Sequence, residues 1–201
     1  MQGLLSNELL SNSKLFGSNT SGKQDFSNYL KNINTIYRPI GFTSEGLWVY
    51  DTVTGVAEVI NPSGTVIKTV SYPVSSAYIP TTVTPSYICW VNSNYAVITD
   101  HNGTIILNSY SEGNTINNIT INEAMQQIYS YINGPVTNIR NFTGTIIKQY
   151  INTYYSSLLA FIPCKNGVVG LAVGQSIFCD NTSFYTFTNS NNNLLTNVLS
   201  I

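Results

Sequence analysis

The amino-acid sequence predicts an α+β protein, with N-terminal helices, an antiparallel β meander or sandwich-like centre, two amphipathic helices and a C-terminal β-hairpin. Three patterns predict this order. Residues 1–37 place apolar residues at helical spacing, residues 40–121 are short β-type segments between turn signals, and residues 143–164 carry apolar pairs every four positions. We therefore expect a helical arm over residues 1–37 and an antiparallel β region over 38–121. Residues 122–201 should form a helix–helix–hairpin region that packs on the β region as one compact unit.

The N-terminal arm is expected to contain two short helices joined by a polar linker. Leu4, Leu5, Leu9 and Leu10 recur on one side of the first helix, and Asp25 begins the second. Short isolated helices are marginal in water, so each must dock on another surface. We expect that surface to belong to the same domain, with a neighbouring subunit as the other possibility.

The β region contains two similar sets of strands. One runs from Leu47 to Tyr72 and the other from Tyr87 to Tyr110, and each has a Gly-terminated turn followed by a Thr-Val or Thr-Ile strand. Their offset of roughly forty residues is the size of a propeller blade. Two blades cannot close a ring within one chain, so we expect an ordinary twisted sheet or sandwich. A partial repeat completed by neighbouring subunits is the other possibility.

Two helices are predicted after residue 120. Thr120 and Glu123 have the spacing of a capping box ahead of an apolar run that stops at Gly134-Pro135. The apolar pairs of Thr143–Cys164 then repeat every four residues, which overshoots the 3.6-residue turn and winds the apolar stripe around the helix. A winding stripe contacts more than one surface. We therefore expect subunit contacts among three tyrosines of this segment: Tyr150, Tyr154 and Tyr155.

Charged residues are scarce, and this scarcity limits the environments and partners that the protein can have. Only 8% of the residues are Asp, Glu, Lys or Arg, against roughly 25% in typical soluble domains. Neutral amides and hydroxyls keep a surface hydrated in acid, and interface cores also disfavour charge, so an acidic environment and a large buried interface are both possible. The net charge of −1 and the scattered Lys and Arg residues argue against a nucleic-acid partner.

The cysteines predict no metal site. One histidine and three cysteines without a CxxC pair do not supply a structural zinc site. Cys164 and Cys179 flank the predicted hairpin and are candidates for a disulfide across it, whereas Cys89 lies in an apolar run and is expected to be a buried thiol.

Membrane contact is possible but not expected, because a turn at Pro163–Gly167 interrupts the most apolar window. The first residues also lack the features of a secretory signal.

No catalytic or cofactor-binding site is predicted. His101 lies in an Asp-His-Asn-Gly turn, which explains it without catalysis, and no Gly-x-Ser-x-Gly motif is present. The glycines of residues 167–174 lack the lysine that phosphate binding requires. Four carboxylates could pair for glycoside hydrolysis, but their separations imply only turns and strand ends: Asp51, Glu58, Asp100 and Glu112. We expect no enzyme, no cofactor and no metal.

Asparagine and tyrosine suggest two kinds of surface chemistry. Five Asn-x-Ser/Thr sequons are candidate glycosylation sites, although several are expected by chance in this composition: Asn19, Asn102, Asn118, Asn141 and Asn181. Fourteen tyrosines offer uncharged contact area that interfaces and sugar-binding surfaces both use, and a tyrosine-lined core edge explains them equally well.

The low charge, the abundance of Asn, Ile, Thr and Tyr, and the lack of an enzyme motif resemble virion structural proteins of archaeal viruses, of the fusellovirus type that infect Sulfolobales. The resemblance is one of composition and style over the whole chain. It implies a thermostable structural role in an extracellular virus particle assembled in or at the host cell. The expected partners are copies of the chain and other virion proteins, in a symmetric ring, tail, nozzle or adaptor. The other function we consider is a carbohydrate-binding or adhesive surface module with Trp48 or Trp90 as stacking platforms.

Overall fold

The α+β prediction is wrong, because the described part of the chain is built from strands. The computed structural model describes residues 29, 33–71, 77–134, 136–151, 158–172 and 175–188. Within these ranges there are sixteen strands and no helical element. The strands, in chain order, are β1 Tyr37–Thr43, β2 Gly46–Asp51, β3 Ala57–Ile60, β4 Val66–Val70, β5 Ile79–Val83, β6 Tyr87–Asn92, β7 Tyr95–Asp100, β8 Ile105–Ser111, β9 Ile116–Asn122, β10 Gln127–Ile132, β11 Val136–Asn141, β12 Ile146–Ile151, β13 Leu158–Cys164, β14 Gly167–Ala172, β15 Gln175–Cys179 and β16 Phe184–Thr188.

The strands form a four-bladed β-propeller. Each run of four consecutive strands makes one antiparallel sheet in sequence order, and we call these sheets blades 1 to 4. The first strands of consecutive blades, β1, β5, β9 and β13, contact one another in succession and are therefore the innermost. The fourth strand of each blade is its outer edge. The expected sandwich is thus replaced by the blade architecture that the forty-residue offset suggested.

One turn recurs in every blade between the third and fourth strands. An Asn or Asp ends the third strand or directly follows it, and its side-chain Oδ1 accepts hydrogen bonds from two backbone N–H groups two to four residues further on, at 2.7–3.1 Å. These residues are Asn61, Asp100, Asn141 and Asp180. In blades 1 to 3 the turn also holds a glycine at φ between 82° and 86°, which other residues rarely adopt.

The helix predicted over Thr143–Cys164 is wrong. Within this range, Ile146–Ile151 is β12, the outer strand of blade 3, and Leu158–Cys164 is β13. An outer strand is covered on few sides, so its residues need not alternate between apolar and polar, and the period-two signal of a strand is missing. The apolar pair Ile146 and Ile147 arises from an irregularity in strand pairing and not from a helical stripe.

The other helices and the C-terminal hairpin also require correction. The run after Thr120 is β9 and β10, and the carboxylate of Glu123 accepts hydrogen bonds from Thr84 and Ser86 of blade 2 instead of capping a helix. The predicted C-terminal hairpin is a complete blade of four strands. Most of the predicted N-terminal helical arm lies outside the described residues. Among those that are described, Tyr29 has helical backbone and β1 begins at Tyr37.

Apolar clusters hold consecutive blades together. Trp48 and Trp90 belong to the cluster between blades 1 and 2, a second cluster of isoleucines lies between blades 2 and 3, and a third around Tyr129 and Phe161 lies between blades 3 and 4. A fourth cluster covers the opposite face of blade 1 and includes Tyr29. Among the described residues, no cluster joins blade 4 to blade 1. The same ranges contain no helix with the length and hydropathy needed to cross a membrane.

Candidate interaction surface

Three isoleucines occupy the same position on the outer strands of blades 1 to 3. In blade 1, Val66 pairs with Ile60 and Lys68 with Val59, so that Ile67 is the extra residue of a β-bulge. Ile106 of β8 and Ile147 of β12 are the extra residues at the equivalent bulges of blades 2 and 3. Their exposed fractions are 55%, 43% and 45%. We call Ile67, Ile106 and Ile147 the isoleucine row.

The bulges have a structural role, but that role does not require an isoleucine at the bulged position. A bulge twists an outer strand and discourages edge-to-edge pairing with another sheet. A polar side chain would serve equally well at an exposed bulge. Neighbouring apolar side chains extend the exposed surface, since Val66 is 38% and Ile146 is 43% exposed. Contiguous exposed apolar side chains are typical of interaction sites, so these bulges are candidate contact surfaces.

His101 links blade 1 to blade 2. Its Nδ1 lies 3.0 Å from Oε1 of Glu45, its Nε2 lies 2.9 Å from the backbone oxygen of Thr84, and its ring packs at 4.6 Å against Trp48. Burial works to raise the pKa of Glu45, but hydrogen bonds from Lys68 and His101 outweigh it, and the pKa lies below its ordinary value. Because one ring nitrogen contacts Glu45 of blade 1 and the other contacts the Thr84 backbone of blade 2, the contacts of His101 are those of a structural link.

The carboxylates considered for glycoside hydrolysis have separate roles. Asp51 and Asp100 accept backbone N–H bonds in turns, and Glu112 pairs with Arg140 between blades 2 and 3. Glu58 is buried on the face of blade 1 that points away from blade 2, and its Oε2 has no hydrogen-bond partner. Across the described ranges, no three His, Cys, Asp or Glu side chains converge as a metal site would require.

The three cysteines are free thiols. Cys164 ends β13 and Cys179 ends β15, so the strand β14 lies between the two strands. Burial raises the pKa of Cys164 and raises that of Cys179 to about 12. The geometry gives no support for the candidate disulfide, and the buried thiol expected at Cys89 is present.

Tyr150 contacts blade 4 of its own chain. Its hydroxyl donates a hydrogen bond to the backbone oxygen of Asp180 at 2.9 Å, and its ring packs at 5.2 Å against Phe184. Burial raises its pKa. Tyr154 and Tyr155, the other candidate interface residues, lie outside the described residues.

The sequons differ in how far the asparagine side chain is available. Asn102 is exposed in the turn between β7 and β8. Oδ1 of Asn118 accepts a hydrogen bond from the backbone of Phe161 in blade 4, and Oδ1 of Asn141 organises its turn. Asn181 has a buried Oδ1. Asn19 lies outside the described residues.

The two tryptophans are not available as stacking platforms. Trp48 and Trp90 have no exposed surface, and each indole N–H donates to a threonine hydroxyl, at 3.0 Å for Thr43 and 2.8 Å for Thr99. The exposed aromatic rings among the described residues are instead tyrosines, with Tyr95 at 44% and Tyr185 at 54%.

Comparison with known proteins identifies the fold alone. No family model and no curated protein matches the chain. Among solved structures, it is similar to virginiamycin B lyase from Staphylococcus aureus with quinupristin (12% identity, 78% of this chain and 57% of that chain, TM-score 0.57). It is also similar to a chain of a nidogen/laminin complex (15%, 75% and 63%, TM-score 0.56) and to BamB from Moraxella catarrhalis (11%, 76% and 48%, TM-score 0.51).

These three similarities agree on architecture at very low identity. The chain spans 48–63% of the length of these three proteins. Such likeness supports a propeller and carries no activity, substrate or partner over to this chain.

The isoleucine row was missed by sequence reasoning although a signal was present. The phrase Gly-Thr-Val/Ile-Ile occurs at Gly64–Ile67, Gly103–Ile106 and Gly144–Ile147. Only the first two copies were paired, because the third was assigned to a helix. Aligning all three would have placed the same apolar residue after the same turn in each repeat.

Proposed function

We propose that this chain is a structural, non-enzymatic subunit that assembles with copies of itself, as the virion-like composition suggests. The observation that carries the proposal is the isoleucine row. Ile67, Ile106 and Ile147 place one exposed apolar side chain at the same point on three successive blades. A surface that repeats along the molecule matches another repeating surface, and a second copy of the chain supplies one.

The scarcity of charge supports the same proposal. Several of the chain's few carboxylates are already engaged: Asp51, Asp100 and Asp180 order turns, and Glu45 and Glu112 connect blades. Engaged carboxylates leave little charge to oppose association of two apolar surfaces. Assembly in a virus particle would use this property in an acidic medium.

The direct test is the mass of the full chain in solution. Light scattering across a range of protein concentrations should show an oligomer, and replacing the isoleucine row by asparagine at all three positions should shift it to the monomer. A wild-type chain that stays monomeric at high concentration would contradict self-assembly.

A matched control distinguishes the effect of losing the isoleucine row from the general effect of placing a polar side chain on the surface. Val53 is 73% exposed in the turn after β2, away from the bulges, and Val53→Asn should leave the oligomer unchanged. Circular dichroism should show that the triple variant keeps the β-sheet spectrum. The virion role is tested separately by negative-stain microscopy at acid pH, where closed rings or tubes are expected and amorphous aggregates would count against it.

A further inference from the structure

One face of blade 4 has the composition of a blade-to-blade contact, and no blade among the described residues packs on it. Directly across its four strands, Ile162 pairs with Val169, Val169 with Phe178, and Phe178 with Tyr185. These four side chains lie on the face opposite the cluster shared with blade 3, and Phe178 and Tyr185 stack at 6.3 Å. We call Ile162, Val169, Phe178 and Tyr185 the blade 4 row.

The equivalent positions in the other blades are completely buried. Pairing along the strands aligns Val169 and Phe178 with a matching residue pair in each preceding blade, and all members of these pairs are 0% exposed because the next blade covers them. The pairs are Trp48 and Val59, Cys89 and Ile98, and Tyr129 and Ile139. Val169 and Phe178 are only half-buried and Tyr185 is 54% exposed. The repeat therefore predicts a cover that blades 1 to 3 do not provide.

The other end of the row of blades shows how this fold closes such a face. On blade 1, the face that points away from blade 2 carries Leu47, Val49 and Ile60, which are 0–8% exposed. Tyr29 and Ile33, which precede the first strand, pack on this face, and Tyr29 meets Phe42 edge-on at 5.6 Å. Residues that precede the first strand thus cover the face of blade 1 that has no neighbouring blade among the described residues.

The connections between blades indicate what covers the last one. After each outer strand the chain passes to the inner strand of the next blade, through eight, four and six residues after β4, β8 and β12. β16 is likewise the outer strand of its blade, and residues 189–201 follow it in the sequence. The same course would carry them over the blade 4 row.

The sequence of this segment fits that position. Residues 189–201 contain no charged residue, and the five residues from Asn189 to Asn193 span up to about 17 Å when extended. A four-stranded sheet is about 14 Å wide from first to last strand, so Leu194 can lie anywhere across it. Five apolar residues follow: Leu194, Leu195, Val198, Leu199 and Ile201.

We infer that residues 189–201 dock on the blade 4 row of their own chain and cover this face as Tyr29 and Ile33 cover the face of blade 1 that points away from blade 2. Attachment within one chain gives an effective concentration on the order of millimolar, which favours this segment over a second copy. The inference concerns a face distinct from the isoleucine row and does not depend on self-assembly.

A cysteine pair tests the docking and shows whether the docked segment comes from the same chain or from a second copy. Tyr185→Cys and Val198→Cys are introduced together with Cys164→Ser, since the remaining Cys89 and Cys179 are buried. After oxidation with diamide, the full chain should carry an intrachain bond, seen as a single-chain species that migrates faster without reductant. Mainly disulfide-linked dimers would show that a second copy supplies the segment and would overturn the inference, as would the absence of cross-linking.

A remote cysteine pair and a dye measurement complete the test. Val53→Cys with Val198→Cys is the control, because Val53 is 73% exposed on blade 1, and no intrachain bond is expected. Leu195→Asn with Leu199→Asn should raise the fluorescence of an apolar-surface dye several-fold by uncovering the row, whereas Asn191→Ser should not. Unchanged dye binding in the double variant would contradict docking even if the cysteine variants failed to fold.

Discussion

Glu112 and Arg140 form a two-point ion pair buried between blades 2 and 3. The Nε of Arg140 donates to Oε1 of Glu112 and an Nη donates to Oε2, both at 3.0 Å. The side chain of Glu112 has no exposed surface and also accepts a hydrogen bond from Asn138 at 2.6 Å. The Arg140 guanidinium further stacks over Tyr110, with 4.9 Å from Cζ to the ring centroid. In a chain with few charges, this pair is placed where an unpaired charge is most costly.

Arg140→Ala should therefore destabilise the fold strongly. It leaves the Glu112 carboxylate buried without its partner, and removing one member of such a pair costs about 3–5 kcal/mol. Chemical denaturation monitored by tryptophan fluorescence measures the change, since Trp48 and Trp90 are buried. The control is Arg38→Ala, an exposed arginine of β1, for which a change below about 0.5 kcal/mol is expected.

The double variant Glu112→Leu with Arg140→Met should be more stable than Arg140→Ala alone. It removes both charges and keeps the volume between the blades filled. If the double variant is as unstable as Arg140→Ala, the loss of stability comes from packing and not from the unpaired Glu112 carboxylate.

The recurring turn predicts a difference in acid sensitivity between its Asp and Asn versions. Burial works to raise the pKa of Asp100, but backbone N–H bonds from Thr104 and Asn102 outweigh it and hold the pKa below its ordinary value of 3.8. A lowered folded-state pKa contributes stability above the unfolded value, and this contribution is lost as the pH falls through the folded value. Asp100→Asn keeps the Oδ1 acceptor without a titrating proton, as Asn61 and Asn141 already do.

We therefore expect Asp100→Asn to lose less stability than the wild type between pH 4 and pH 2. Thermal unfolding across this range measures the effect. Asp180→Asn should behave in the same way, because hydrogen bonds from Thr182 and Ser183 also lower the pKa of Asp180 against its burial. Parallel pH profiles for wild type and both variants would show that these turns do not govern acid stability.

The local sequence predicted turns and strands better than it predicted the propeller. The turns at Asn61 and Asp100 follow from Asx chemistry with a glycine at positive φ, and the strands around them were recognised. The same turn at Asn141 was recognised neither as a turn nor as a repeat, because Ile146–Ile151 shows apolar pairs instead of alternation. With that copy missing, two repeats did not suffice to predict successive propeller blades.

The contacts between blades could not be read from the sequence. Glu45 lies 56 residues from His101, and Glu112 lies 28 residues from Arg140. No local pattern connects residues at such distances, and single charged residues in turns have ordinary local explanations. The isoleucine row is the exception, because its position is defined by a repeat within the sequence itself.

Glycosylation, if the chain meets the modifying enzymes, should occur at Asn102 among the four described sequons. Its side chain is exposed, whereas Asn118 contacts blade 4 and the side-chain oxygen of Asn181 is buried. Intact-mass measurement after expression in a secreting eukaryotic host should show a glycan that Asn102→Gln removes. A glycan that persists in that variant would place the accessible sequon elsewhere.

Close packing of the inner strands predicts that Gly41→Ala loosens blades 1 and 2. A Cβ at Gly41 would lie 2.9 Å from both Cγ1 and the backbone oxygen of Val83 on β5. The backbone cannot move aside without separating the two blades, so we expect a loss of about 1–3 kcal/mol from overpacking. Gly113→Ala is the comparison, because nothing lies within 4 Å of its Cβ and only the strain of φ 78° applies, at about 1 kcal/mol. If urea denaturation gives equal losses of unfolding free energy in the two variants, the inner strands can move apart at little cost. The apolar clusters further out would then hold the blades together.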